Sequence, residues 1–410
     1  MAKRSVEITP SFKLFTLSVH DQLYLTASAT ASATASVIAP DADPAATASL
    51  IYGRIAEILR ESSMRIVHER LFGNLDIREK IVQARSEAFR SAGLVHNGDA
   101  PLTFVEGRPC AGSGFSGIQI RAIHPSQGGD AIRTIREKGT TLGRAWTRQG
   151  ATFIMLQNID GGGASLGSGE GRASQAESMF RQAERLLRSQ GASYRDVART
   201  WIYIENILDW YGDFNAARNR CYSDIGFLGN PSEEAEAERL YLPASTGIEG
   251  KNPAGSSAVM DVFAVHGNSG GSIRIRPISG TKQRSPFRYG SAFSRAMVVE
   301  EPDSKLILVS GTASIDEEGR TVYVEDSAAQ IRHTLNVVSA LIGEEGATLK
   351  DICEATVFLK HGGDFPVYRE VAAQYGIADV PSVNVVADIC RDELLFELDA
   401  AFIVDKKNPR

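Results

Sequence analysis

An internal repeat kept in register constrains this chain more than any other feature of its sequence. Gln175, Gly191-Ala192 and Asp196 recur at one constant offset as Gln330, Gly346-Ala347 and Asp351. VARTWIYI from Val197 and ICEATVFL from Ile352 follow at the same offset, and Asp213-Phe214 then answers Asp364-Phe365. Each copy reads as strand, helix, strand, helix, strand. In the first, residues 151–157 and 197–204 form strands around a helix with Met179, Phe180, Ala183, Leu186 and Leu187 inward. In the second, Ile331, Leu335, Val338 and Leu341 keep the same helical period between strands at 305–311 and 355–359. A unit of this kind leaves one sheet face open and must bury it on a neighbour.

The N-terminal part matches these copies in its elements but not in its motifs. Residues 22–27 read as a strand running into the low-complexity stretch 27–36. A helix then carries Ile51, Ile55, Ile58 and Leu59, and a second carries Ile77, Ile81, Ala84, Ala88 and Phe89. Strands at 102–105 and 115–122 close the round, giving the order strand, helix, helix, strand, strand. The expected division is 1–127, 128–270 and 271–410. The expected fold is α/β, with three units that close on one another as an intramolecular pseudo-trimer. A chain that fills all three positions itself is expected to be a monomer or a weak dimer.

Composition narrows the function. The 410 residues are 43% apolar and 23% charged, as in ordinary globular proteins. Net charge is -6 with no lysine-rich stripe, which disfavours nucleic acid as partner. No apolar run approaches the roughly 20 residues of a membrane span, and the mixed charges near the N-terminus are not a secretory signal. The four cysteines, Cys110, Cys221, Cys353 and Cys390, lie far apart, which argues against zinc and against a disulfide framework. A cytoplasmic protein with no cofactor and no metal is expected.

The chemistry concentrates near the end of the chain. Two apolar runs, 383–390 and 394–401, flank Arg391-Asp392-Glu393 and read as a hairpin, across which Cys390 and Glu397 would be neighbours. Glu397 sits among Leu394, Leu395, Phe396 and Leu398. A carboxyl so placed either faces solvent from a half-exposed strand or is buried with a raised pKa, as a proton donor. The pattern alone leaves both open.

The third copy resembles the Rid family, also called YjgF or L-PSP, whose small α/β subunits form trimers. Phe293-Ser294-Arg295-Ala296 stands at its opening motif and Ser310-Gly311 at the end of its strand. Gln330 and Asn336 lie on its helix, and Glu397-Leu398-Asp399-Ala400 on its closing strand. The resemblance implies three chorismate-mutase-like, Rid-type repeats, each a β-sheet with two helices. Cys390 and Glu397 have the spacing of the chorismatases, fused-repeat relatives that hydrolyse the enolpyruvyl ether of chorismate. That resemblance implies Glu397 as general acid, Cys390 shaping the pocket and Lys360 holding substrate.

Two arginines of the relatives are missing. Tyr289 is followed by Gly290, Ser291 and Ala292 where the chorismatases have Tyr-x-x-Arg, and Pro381 is followed by Ser382 and Val383 where the imine deaminases have an arginine. Arg284, Arg288 or Arg295 would substitute, with Lys360 and Arg295 or Arg288 binding the substrate carboxylate, and Tyr289 either stacks on or hydrogen-bonds a ring or packs in the core. Arg199 reads equally as a ligand contact or a structural ion pair. Three functions stay open: lysis or hydrolysis of a small carboxylated enol ether, deamination of an enamine or imine, and a non-catalytic ligand-binding or scaffold protein. Because Val259 aligns with Glu397 and residues 114–123 hold no carboxylate, one catalytic seam of three is expected.

Overall fold

The computed structural model describes residues 2–29, 43–112, 114–125, 132–162, 171–227, 242–267, 271–278 and 292–407. Three sheets follow one another along the chain. The first orders its strands β1 (Lys3–Ile8), β2 (Phe12–Val19), β3 (Gln22–Ala29), β7 (Phe115–Ile123), β4 (Arg65–Gly73) and β5 (Thr103–Glu106). The second runs β8 (Arg133–Glu137), β9 (Thr140–Arg148), β10 (Ala151–Ile159), β13 (Ala258–Gly267), β11 (Val197–Ile204) and β12 (Ala244–Glu249). The third runs β14 (Arg274–Ile278), β15 (Ala296–Glu300), β16 (Ser304–Ala313), β19 (Phe396–Asp405), β17 (Ile352–Leu359) and β18 (Ser382–Val386). A two-residue strand β6 (Arg108–Pro109), from the first unit, adds to its edge beside β18.

The three strand orders are identical, so the first unit shares the topology of the other two. Each sheet carries two main helices on one face: α1 (Pro44–Ser62) and α2 (Arg78–Ser91), α3 (Arg172–Ser189) and α4 (Ile207–Asp224), α5 (Ser327–Gly343) and α6 (Phe365–Gln374). The helices form because their apolar residues recur at 3.6-residue spacing. Ala176, Met179, Phe180, Ala183 and Leu187 are all buried on α3. Three cores lie between each sheet and its helices. A fourth lies where the other sheet faces meet, around Phe153, Trp146, Phe263, Met297 and Val385.

Three expectations need correction. Residues 65–73 form β4, a central strand that the N-terminal reading passed over between its two helices. Its run His68-Glu69-Arg70 looks like surface, yet all three are buried, with partners from strands of the other units for His68 and Arg70 and from helices α1 and α2 for Glu69. The polar lead-in before residue 22 is the meander β1–β2. The terminal hairpin does not exist: β18 pairs parallel with β17, and β19 pairs antiparallel with the other side of β17 and with β16. An apolar run of five residues is compatible with either pairing, so the pattern did not choose.

Buried charges tie the units together along the line where the inner faces converge. Arg70 of the first unit pairs with Glu354 and Asp399 of the third and receives Tyr203 of the second as an acceptor at 3.3 Å. Arg199 of the second unit donates to Asp399 at 2.8 Å and to Thr246. Nearer one end, Arg148 of the second unit joins Asp21 of the first, at 2.6 Å, to Glu301 of the third. Removing one member strands the others without solvent. Arg70→Ala is expected to cost about 3–5 kcal/mol, read as a lowered midpoint in urea or heat. A change below about 1 kcal/mol, the scale of an exposed pair, would show that the network is not holding the units.

Candidate active site

The closing strands place three equivalent positions, one per unit. Tyr203 faces Val259 across β11 and β13, Phe358 faces Glu397 across β17 and β19, and Phe72 faces Gly117 across β4 and β7. Each position lies near a seam between two units, and the seams differ.

Between the first and second units the space is filled by hydrogen bonds. Thr103 donates to Asp261 at 2.7 Å, His68 Nε2 lies 3.0 Å from the same carboxylate, and Gln157 donates to Thr103 at 3.0 Å. Val259 is buried beside them. Between the third and first units Val383 packs onto Gly117, where a Cβ would meet its methyls at 2.8 and 3.1 Å. Gln119 there donates to the Ala355 carbonyl at 2.7 Å.

The seam between the second and third units keeps a cavity of about 50 Å³ with Glu397 in its wall. Backbone-anchored hydroxyls stitch its floor. Ser245 N–H donates to Ser310 Oγ at 2.8 Å, and Gly311 N–H donates to Thr246 Oγ1 at 2.9 Å. Gly311 is required here, because a Cβ on it would overlap Oε1 of Glu397. From the third unit Phe293, Arg295, Cys390 and Arg391 line the cavity, and from the second Tyr211, Arg218 and Ser245 do so.

Glu397 is 4% exposed, which overturns the solvent-facing alternative. Among the described residues it has no hydrogen-bond or ion-pair partner. Burial is the main reason that its pKa rises to about 8; Asp399 two residues on adds to the rise, and Arg199 opposes it. The side chain is therefore a neutral acid near pH 7. Cys390 reaches the same cavity through the turn after β18 rather than across a hairpin. Burial first, and Glu397 second, push its thiol up to about 12, which makes it a wall and not a nucleophile.

The other expected residues separate. Arg295 lines the cavity with its guanidinium 5.9 Å from the Phe293 ring. Arg199 does not line it; it is buried behind, committed to Asp399 and Thr246. Lys360 lies elsewhere. It donates to Asp392 at 2.6 Å and lines a polar basin of about 530 Å³, the larger cavity, to which all three units contribute. The smaller cavity holds the fully buried acid Glu397; in the basin Glu249, whose pKa burial also raises, is half-buried and accepts the Asn206 and Ile207 backbone N–H groups. Arg284, Arg288 and Tyr289 lie outside the described residues, as does most of the glycine-rich stretch 160–171. Among the described residues no three His, Cys, Asp or Glu side chains converge as a metal site, and no helix is long and apolar enough to cross a membrane.

Sequence reasoning missed Arg218, Tyr211 and Arg391. It sought the site within one repeat, whereas a seam draws on two. The available signal was Arg218 itself, a lone arginine on the buried stripe Phe214, Ala217, Arg218 and Cys221 of α4.

Residues 289–401 match the family model described as Endoribonuclease L-PSP. The third repeat is thus similar to the L-PSP, or Rid, superfamily over most of its length. The chain is 36% identical over 70 residues to the 3-aminoacrylate deaminase RutC of Acinetobacter baylyi, covering 17% of this chain and 56% of that protein. It is 25% identical over 230 residues to a 3-hydroxybenzoate synthase of Streptomyces hygroscopicus, covering 50% and 63%. It thus matches less than two thirds of the length of either curated relative. A chorismatase crystal structure covers 82% of this chain and 93% of its own at a TM-score of 0.58 and 19% identity, so the fused Rid-type fold is common to both.

The raised pKa of Glu397 has a consequence for stability. The folded chain holds this proton up to about pH 8, while the unfolded carboxyl releases it near 4.5. The stability that the proton contributes is complete below the unfolded pKa and is lost as pH rises through the folded one. Glu397→Gln should therefore match the wild type at pH 4 and become relatively more stable up to pH 9. The gain is at most roughly 5 kcal/mol at 1.36 kcal/mol per unit. Denaturation midpoints across that range check it; a constant difference would place the Glu397 pKa near its ordinary value.

Proposed function

We propose that the seam between the second and third units is a general-acid site for a small carboxylated substrate, with Glu397 as the acid. The observation that carries this reading is a buried, neutral carboxyl in a cavity walled by arginines. The preferred reaction is cleavage of an enol ether of the chorismate type, as the resemblance to the chorismatases implies and in line with a structural neighbour called a chorismatase. Glu397 gives its proton to the terminal methylene carbon, and positive charge develops on the ether carbon and its oxygen. Water forms a bond to that carbon, and the hemiketal collapses with cleavage of the carbon–oxygen ether bond. Pyruvate and an alcohol leave, and a proton lost from the added water restores the acid. Arg295 would hold a carboxylate, and Cys390 would limit the volume beside the ring. Lys360 and Arg199 have no contact role in this reading. Val259 and Gly117 leave the other two seams without a carboxyl at the position of Glu397, and Asp261 in one of them is taken up by Thr103 and His68, which supports one site per chain.

A second reading is supported by the size of the cavity. About 50 Å³ holds a few water-sized groups, nearer to a three-carbon enamine acid than to a cyclohexadiene with two substituents. The same acid would protonate the enamine carbon, water would add to the resulting iminium, and ammonia would leave. The non-catalytic alternative has less support, since a purely structural seam gains nothing from a buried neutral acid without a partner.

Incubation of the protein with chorismate, and separately with 3-aminoacrylate generated in place, distinguishes these readings by pyruvate or ammonia release. Glu397→Gln is expected to lower either rate by about 10²–10⁴ while the fold persists. Turnover that survives this substitution at the wild-type rate would remove Glu397 from the reaction.

A further inference from the structure

The relatives' arginines are missing from their usual places, yet one guanidinium in this seam has no anion among the described residues. Arg218 is 2% exposed. Its Nη2 donates to the Asn215 amide oxygen at 2.6 Å, and its Nε is buried with no acceptor. Its charge lies 5.8 Å from the rings of both Phe214 and Phe293. Among the described residues it pairs with no carboxylate. The acid that shares its cavity, Glu397, is neutral near pH 7 and does not balance it.

Buried charges are ordinarily paired or else hydrogen-bonded; Arg144, which has no carboxylate, donates to the Ile66 and His96 carbonyls. On α2 of the first unit the buried Arg85 holds Glu69 through both carboxylate oxygens, at 2.7 Å for the shortest contact. On α6 of the third unit Arg369 is exposed. Of these three helix arginines, only Arg218 is both buried and uncompensated, and only Arg218 faces a cavity.

We infer that Arg218 is the specificity-determining anchor for the substrate's carboxylate, supplied by the second unit to the acid of the third. This deepens the reading of the seam as a small-acid site and rests on it. The side-on edge of Arg218, its Nε and one hydrogen of Nη2, supplies two parallel hydrogen bonds to a carboxylate, the edge by which Arg85 holds Glu69, while the second Nη2 hydrogen stays with Asn215. Its ring neighbours hold the guanidinium plane so that little entropy is lost on binding. A bound anion compensates the charge and also opposes ionisation of Glu397, so that substrate keeps its own proton donor loaded. The site is thereby divided between units: recognition from the second, proton from the third. Neither remaining seam holds both parts.

The test uses acrylate and benzoate as probes, with acrylamide and benzamide as their neutral counterparts, and calorimetry on the intact chain at low salt. Wild type and Glu397→Gln should bind at least one acid and neither amide measurably. Arg218→Gln should weaken that binding roughly tenfold to a hundredfold, as for loss of a charge-assisted bond. Arg218→Lys keeps the charge but loses the fork and should fall between them; it also serves if the glutamine variant unfolds by circular dichroism. Acid binding unchanged in both Arg218 variants, or amides bound as well as acids by the wild type, overturns the inference. So does a wild type that binds none of the probes. Arg218-dependent binding without turnover of any enol ether or enamine would leave the anchor standing and reject the catalytic reading, so the two failures are distinct.

Discussion

The structure depends on the buried ion network in which Arg70 and Arg199 meet Glu354 and Asp399. It joins all three units at once, because Arg70 belongs to the first, Arg199 and Tyr203 to the second, and both carboxylates to the third. Apolar contact alone would let similar sheets slide against one another, since hydrophobic burial has no direction. Charges that must find their partners out of water fix the registration. The same network reaches the candidate site. Asp399 lies two residues from Glu397 on the same face of β19, and Arg199 holds Asp399 from behind, so the groups that align the units also set the electrostatic surroundings of the acid.

Fusion changes what three similar units can do. A symmetric trimer must repeat each seam three times. Here one seam is filled by Thr103, Gln157 and Asp261, another by Val383 on Gly117, and the third keeps a cavity. The glycine at 117 admits a valine, while the glycine at 311 admits a carboxylate. One residue type thus gives close packing at one seam and room for a neutral acid at the other. The outcome is decided by what stands opposite, not by the repeat motif.

Much of the architecture was legible because periodicity survives in the buried elements: VARTWIYI and ICEATVFL are continuous apolar strands, and the helix stripes keep their spacing. The β4 strand was not legible, since His68, Glu69 and Arg70 look solvated until the partners Asp261, Arg85 and Glu354 are known. The pairing of β18 was ambiguous for a related reason: a short apolar run fits parallel or antiparallel neighbours equally. At the site, Glu397 and Cys390 could be named from their pattern, although the hairpin argument that joined them was mistaken. Lys360, expected beside Glu397 from the resemblance, lines the polar basin instead. Within its own unit Arg218 shows only as a lone arginine on a buried helix stripe; the cavity it lines is shared with Phe293 and Glu397 of another unit.

The account turns on one property, the protonation of Glu397 at neutral pH. Carboxyl-selective infrared difference spectra between wild type and Glu397→Gln, taken from pH 4 to pH 10, read it directly. The account predicts a protonated-acid carbonyl band in the wild type at pH 7, lost with a midpoint near 8. A band already absent at pH 7, with a midpoint near the ordinary glutamate value of about 4.3, would contradict it.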